Sequence, residues 1–231
     1  MMGVGVFISI DGRAKAARGR MKKLLIVDGH VVIREGLKDI LHAQSEIVFG
    51  EASTADAALR LVEEQNWDAV ILDLAQGDRS SLDALKELKQ IRRRLPVLVL
   101  GTQSGHDYAR RLFKAGASGY ITKDSPREEL VKAVCKVMEG GTYVSSALAE
   151  NLVDDLETGS DKPLHGELSD REYEVLTLIA FGKTIHEIAN LRSLSDKTIR
   201  AYRARILNTM GMKTTAELIH YAVRNNLVDL G

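Results

Sequence analysis

The chain has 231 residues, 45% hydrophobic and 28% charged, with 32 bases balanced by 32 acids. That is the composition of an ordinary globular chain, enough for one large domain or two small ones, and it excludes wholesale disorder. No run approaches the ~20 apolar residues of a membrane span, and the single cysteine, Cys135, excludes an intramolecular disulfide or a cysteine-cluster zinc site.

In chain order, the weakly polar stretch Met1 to Ile10 precedes Arg13, Lys15, Arg18 and Arg20, the reverse of a secretory signal. Residues 1–21 therefore read as a basic N-terminal extension, with Met21 as an alternative start, and cytoplasmic location is the default. Val4 to Ile10 offers a weak edge strand at best, since Gly3 and Gly5 interrupt it. From Lys23 onward, the apolar runs Leu24–Val27, Ile47–Phe49, Ala69–Leu72, Val97–Leu100 and Gly119–Ile121 alternate with helical patterns near 31–43, 54–65, 81–94, 106–115 and 126–139. Continuous apolar runs suit strands covered on both faces. Five strands alternating with five helices predict an α/β doubly wound parallel sheet, here expected in the order 2-1-3-4-5 over 22–140.

The pattern changes near Gly140-Gly141. Ala147 to Leu156 is read as a short helix, and Glu157 to Gly166 as linker, so 141–166 is expected to join two domains. The remainder, 167–231, reads as all-α. One helix runs from Asp170 to Phe181, with Ser169 and Glu172 as a capping box and Gly182 as stop. A short helix follows over Ile185–Leu191, a longer one runs from the N-cap Ser195 to Gly211, and a last spans Thr215–Asn225. A module of this size and order is too small for an enzyme core and suits a helix-turn-helix.

Ligands of open parallel sheets bind beyond the carboxyl ends of the strands. Asp28, Asp73 and Lys123 stand at the ends of the first, third and fifth runs, so the predicted order brings the two carboxylates together with an ammonium at their side. Two carboxylates can hold a hard cation such as Mg²⁺, and an ammonium can pair with phosphoryl oxygens.

The segments Lys22–His30, Asp68–Leu74 and Lys114–Lys123 resemble the receiver domain of two-component response regulators, and Leu168–Glu172, Glu187–Ala189 and Leu194–Ile199 resemble the LuxR-type helix-turn-helix. Over 22–230 the chain is similar to NarL/FixJ-type regulators. The resemblance implies Asp73 as phosphoacceptor, Lys123 as the phosphate-pairing lysine and Tyr120 as a switch aromatic. Three positions depart from the pattern. Gly29 replaces a second acid, Gln76-Gly77 stand where Met-Pro is usual, and Gly101 replaces a hydroxyl residue, with Thr102 one position late. Mg²⁺ held by Asp28 and Asp73 alone is expected to be weak, and phosphorylation slow, weakly coupled or absent.

In the Ser195–Gly211 helix, Ile199, Ile206 and Met210 share one face, with Tyr202 and Leu207 at its margins. Lys197, Ala201, Ala204 and Asn208 share the other, flanked by Arg200 and Arg205. Small residues between long bases let a helix enter a major groove. The resemblance implies Lys197, Arg200 and Ala201 against bases, and Thr198, Tyr202, Arg203 and Arg205 against phosphates of double-stranded DNA. Arg192, where the family buries a leucine, leaves two choices: Leu191 fills the space, or the stem of Arg192 snorkels out. A homodimer on DNA is expected through Leu218, Ile219, Ala222 and Val223, or through Leu130, Val134 and Val137; Cys135 is expected in the core. Two states are expected: in one the input domain covers the basic helix or blocks pairing, and in the other it releases it.

The expected function is a DNA-binding transcriptional regulator of a two-component phosphorelay, with a sensor histidine kinase as partner and no membrane contact. The alternative is a phosphorylation-independent regulator acting through dimerisation or a partner. A small α/β enzyme is disfavoured: Asp28-Gly29-His30 lacks a phosphate-binding glycine loop, and His30 and His106 read as surface residues.

Overall fold

A computed structural model of the chain describes residues 21–42, 47–73, 80–101, 106–145, 149 and 163–228. The expected edge strand at Val4–Ile10, and the short helix at Ala147–Leu156 apart from residue 149, lie outside the described residues.

The five apolar runs form β1 (Lys22–Val27), β2 (Ile47–Ala52), β3 (Ala69–Leu72), β4 (Val97–Gly101) and β5 (Gly119–Thr122). They pair in parallel in the order β2-β1-β3-β4-β5, as predicted. The register sets Leu25 opposite Val70 and Val27 opposite Leu72. Alternate strand residues go to opposite faces, and both faces are buried. Leu25, Val27, Val70, Leu72, Val97 and Val99 pack under α2 (Ala55–Glu64), α3 (Ser81–Ile91) and α4 (His106–Lys114). Leu24, Ile26, Ile71, Leu98 and Ile121 pack under α1 (Val31–His42) and α5 (Arg127–Met138). This two-sided burial is why the strands read as continuous apolar runs.

The C-terminal part is a 3₁₀ turn (Leu164–Glu167) followed by α6 (Asp170–Ala180), α7 (Ile185–Leu191), α8 (Asp196–Thr209) and α9 (Thr215–Arg224). Ser169 and Glu172 make the predicted capping box. Thr184 with Glu187 and Thr214 with Glu217 make two more, a T-x-x-E signal legible in the sequence but not used. Gly182 (φ 79°) and Gly211 (φ 65°) end their helices in the left-handed conformation that glycine adopts without strain. Ile199, Ile206, Met210, Leu218 and Ala222 converge with α6 in one core.

Three packing expectations need correction. Leu130, Val134 and Val137 are buried against the sheet and present no pairing surface. Cys135, on the same helix, is half-buried rather than core. In α9, Leu218 and Ala222 are buried, while Val223 is 40% exposed.

Candidate functional site

The sheet itself positions the acidic pocket. Past the ends of β1, β3 and β5, the amides of Asp28, Asp73 and Lys123 still donate to the carbonyls of Ala52 (3.1 Å), Val27 (2.8 Å) and Gly101 (2.8 Å). Each residue is thus held at the carboxyl edge of the sheet, where its side chain turns into the crevice. Asp28 and Asp73 are buried at 1% and 3% exposure. Lys123 Nζ pairs with Asp73 Oδ2 and stands 3.8 Å from Asp28 Oδ2. Asp28 Oδ1 accepts the amide of His30 at 2.7 Å and contacts its Nδ1 at 3.0 Å. His30 is therefore a neighbour of the site, though its side chain is half exposed. Burial, helped by the neighbouring Asp28 and opposed by Lys123, pushes the Asp73 carboxyl up to about 6.

Asp28 Oδ2 is buried with no hydrogen-bond donor among the described residues. A buried carboxylate oxygen of this kind, beside a second carboxylate, fits a hard cation. The glycine at 29 is not imposed by space, because a Cβ there would meet nothing nearer than Ser53 O at 3.8 Å. The two-carboxylate set is a property of this sequence rather than of a crowded fold. Among the described residues no group of three His, Cys, Asp or Glu could hold a metal. Thr102 and Gln76-Gly77 lie outside the described residues.

Tyr120 is buried at 5% exposure, with its ring turned in over Gly101. A Cβ at position 101 would stand 2.7 Å from the Tyr120 hydroxyl, so the glycine and the inward tyrosine require each other. Tyr120 meets Tyr108 of α4 edge to face, with ring centroids 6.1 Å apart. Tyr108 packs against both the sheet core and the C-terminal core.

The second candidate site is α8. Lys197, Arg200, Ala201, Ala204, Arg205 and Asn208 are all exposed, while Ile199, Ile206 and Met210 are buried, as the helical wheel predicts. The Ser195 hydroxyl caps the helix by accepting the Thr198 amide at 3.1 Å. Thr198, Tyr202 and Arg203 are half-buried at the margins. Arg203 Nε donates to Thr215 Oγ1 at 2.7 Å, which ties α8 to α9. The Arg205 guanidinium lies 5.3 Å from the Tyr202 ring centroid.

The two domains meet along α3, α4, the 3₁₀ turn and α6. Arg111 of α4 donates to the carbonyls of His165 (2.9 Å) and Leu168 (3.0 Å) and to Asp170 (2.8 Å). Lys86 of α3 also pairs with Asp170. Arg171 pairs with Asp83 of α3 at 2.7 Å. His165 is buried, with Nε2 2.6 Å from Asp107 of α4 and Nδ1 2.8 Å from the Tyr221 hydroxyl of α9. The input domain therefore docks on α6 and the 3₁₀ turn, and the outward face of α8 stays uncovered. Arg192 takes neither expected course. Its side chain, 11% exposed, lies 3.9 Å from the buried Glu174 of α6.

Residues 24–135 match the response regulator receiver domain family, and residues 166–222 match the LuxR family of bacterial regulatory proteins. The chain is 33% identical to the oxygen regulatory protein NreC of Staphylococcus epidermidis, over 90% of this chain and 99% of that one. It is 34% identical to BvgA of Bordetella pertussis, described as a putative positive transcription regulator of virulence factors, over 89% and 98%. A solved structure of the RcsB response regulator of Salmonella typhimurium has the same fold (TM-score 0.68, 21% identity, 89% of this chain and 98% of that one). Acidic crevice, exposed basic helix and these likenesses agree: the chain belongs to the NarL/FixJ-type two-component response regulators, with a receiver domain and a LuxR-type DNA-binding domain.

Proposed function

We propose that Asp73 is the phosphoacceptor of a receiver (22–140) that acts through the 141–166 linker on sequence-specific duplex binding by 167–231. The observation that carries this reading is the pairing of one buried acidic crevice with one uncovered basic helix. In the phosphotransfer step, an Asp73 carboxylate oxygen attacks the phosphorus and the donor's group departs with its bonding electrons. Lys123 then pairs with the new phosphoryl oxygens. Asp28 Oδ2 and Asp73 would hold Mg²⁺, which supplies charge neutralisation for the transferring group. With Gly29 in place of a second acid, that hold is weak.

On the DNA side, Lys197, Arg200 and Ala201 face bases, while Thr198, Tyr202, Arg203 and Arg205 hold phosphates. The contact of Arg203 with Thr215 supports a backbone role. The regulator binds as a homodimer, takes phosphate from a sensor histidine kinase, and catalyses no turnover of a small molecule. No helix among the described residues is long and apolar enough to cross a membrane, in keeping with action in the cytoplasm.

A second reading is favoured by one observation. Tyr120 is turned inward over Gly101, into space that any side chain at position 101 would take, so the residue at 101 itself favours the inward tyrosine. On this reading the receiver works without phosphorylation, as a docking or pairing platform. The discriminating experiment is duplex binding by fluorescence anisotropy, with and without acetyl phosphate and Mg²⁺, for the native chain and Asp73→Asn. Phosphodonor-dependent affinity that Asp73→Asn abolishes supports the first reading. Equal affinity in every arm supports the second.

A further inference from the structure

Between α1 and α5 the receiver holds a pocket of about 300 Å³, at the lower end of the volumes that small-molecule sites have. Ile33, Leu37 and Ile40 of α1, Leu100 of β4 and Leu130 of α5 make it apolar. Thr122, Lys123, Ser125 and Arg127 supply its polar side, and among the described residues no carboxylate lines it. The Thr122 and Ser125 hydroxyls bond each other at 3.0 Å, and Lys123 pairs with Asp73. Arg127 is exposed and makes no hydrogen bond or ion pair with a described residue. The fourth residue that α1 gives the pocket is Gly36. It stands inside the helix, on the face that carries Ile33 and Ile40. Glycine inside a helix is destabilising relative to alanine. Packing does not demand it here, because a Cβ at 36 would meet nothing within 4 Å. The space that a side chain would take is left to the pocket.

We propose that this pocket binds a small monocarboxylate with an apolar body, the body laid along Gly36 and the carboxylate paired with Arg127. A mostly apolar lining with a few polar groups at one side is the pattern of a small-molecule site. Both ionised groups of the lining are cations, and Asp73 engages Lys123, so the charge that meets a ligand is that of Arg127. A guanidinium fork matches the two oxygens of a carboxylate. No ordinary side chain combines a bulky apolar body with a carboxylate, which favours a small molecule over the surface of a partner protein. Lys123 borders the pocket as well as the crevice, so an occupant contacts the residue that pairs with Asp73. The binding itself calls for neither Mg²⁺ nor phosphoryl transfer.

The test is calorimetric titration of the full chain at fixed ionic strength with EDTA present, using 2-naphthoate in one arm and the uncharged 2-naphthalenemethanol in the other. EDTA removes any divalent cation that could hold a carboxylate at the Asp28–Asp73 crevice. We expect saturable binding of 2-naphthoate and weaker binding of the alcohol. Arg127→Gln, at an exposed side chain, should weaken the carboxylate about fivefold, the upper end of what an exposed ion pair contributes, and leave the alcohol unchanged. Gly36→Leu puts a side chain into the open space and should weaken both probes about tenfold or more. Its thermal midpoint should hold or rise, because leucine favours the helix. If Gly36→Leu fails to fold, the Arg127→Gln comparison still decides. Any of four results overturns the proposal: no saturable binding of 2-naphthoate at millimolar concentration, equal affinity for acid and alcohol, undiminished 2-naphthoate binding by either variant, or binding that appears only with Mg²⁺. A native chain that binds neither probe but self-associates in light scattering, through a contact that Gly36→Leu removes, assigns the recess to a second copy and also overturns it.

Discussion

Arg111 is the residue on which domain docking depends, and its replacement by alanine is the sharpest test of the seam. Its side chain is 14% exposed. It donates to the His165 and Leu168 carbonyls and to Asp170, and its guanidinium lies 4.4 Å from the Tyr173 ring centroid. A hydrogen bond involving a charged group contributes about 1.5–3 kcal/mol, and a cation over a ring about 0.5–2 kcal/mol. These contributions do not add, because the contacts share one side chain. Removal of one partner from a fully buried ion pair costs about 3–5 kcal/mol; with Asp170 30% exposed and still paired with Lys86, the magnitude expected is nearer the roughly 1.5–3 kcal/mol of a single charged hydrogen bond. Every one of these partners lies in the other domain, so the loss falls on docking rather than on either core. Arg111→Ala should therefore populate an undocked form with both domains folded. Small-angle scattering should show a larger radius of gyration, and amides at 163–168 should exchange faster, with the circular dichroism unchanged. Arg111→Lys keeps the charge without the fork and should recover part of the docking. An Arg111→Ala chain with native scattering and native exchange at 163–168 would refute the reasoning.

Acid should open the same seam. Burial raises the Asp107 carboxyl, but the His165 hydrogen bond and the charges of His165, Arg110 and Arg111 together outweigh it and hold the group below the usual carboxylate range; the hydrogen bonds and charges of Lys86 and Arg111 together do the same for Asp170. A carboxyl whose folded value is depressed stabilises fully above its unfolded value, near 3.9, and loses that stabilisation as pH falls through the lower folded value. Docking should hold above about pH 4 and fail below it, and a radius of gyration constant down to the point of global unfolding would contradict this. Gly101→Thr should force Tyr120 out of its pocket and cost about 1–3 kcal/mol by overpacking. Thermal melts of the double variant with Tyr120→Ala should show most of that cost removed, and strict additivity would count against the mutual fit. Arg200→Ala should lose roughly 1–3 kcal/mol of site discrimination per lost base contact, and Arg205→Ala should make the salt dependence of binding shallower by about one phosphate. Unchanged footprints for Arg200→Ala and Lys197→Ala together would remove α8 as the reading helix.

Much of this architecture was legible from local pattern. Runs such as Leu24–Val27 and Val97–Leu100 announced strands buried on both faces, and alternation with helices left the 2-1-3-4-5 order as the natural arrangement. The order then placed Asp28 and Asp73 together at the ends of the adjacent strands β1 and β3, and Lys123, at the same edge after β5, reaches them past β4. The two faces of α8 were equally legible, because a period of 3.6 separates Ile199, Ile206 and Met210 from Lys197, Arg200 and Ala204 without reference to the rest of the chain.

The seam was not legible, nor were the residues it recruits. The contacts of Arg111 with His165, Leu168 and Asp170 span 54 to 59 residues of chain. Read locally, Arg111 is one more base on a helix, and His165 is one more linker residue. Arg192 looked like a misfit in a leucine position until folding set it beside Glu174. Leu130, Val134 and Val137 have the spacing of a pairing stripe, and only the sheet behind them makes them core. Periodicity and caps arise from forces acting within a few residues, so they are written in the order of the amino acids. Which charged surfaces meet, and whether Tyr120 can turn in over Gly101, depends on shapes brought together from distant segments, and those exist only once the chain has folded.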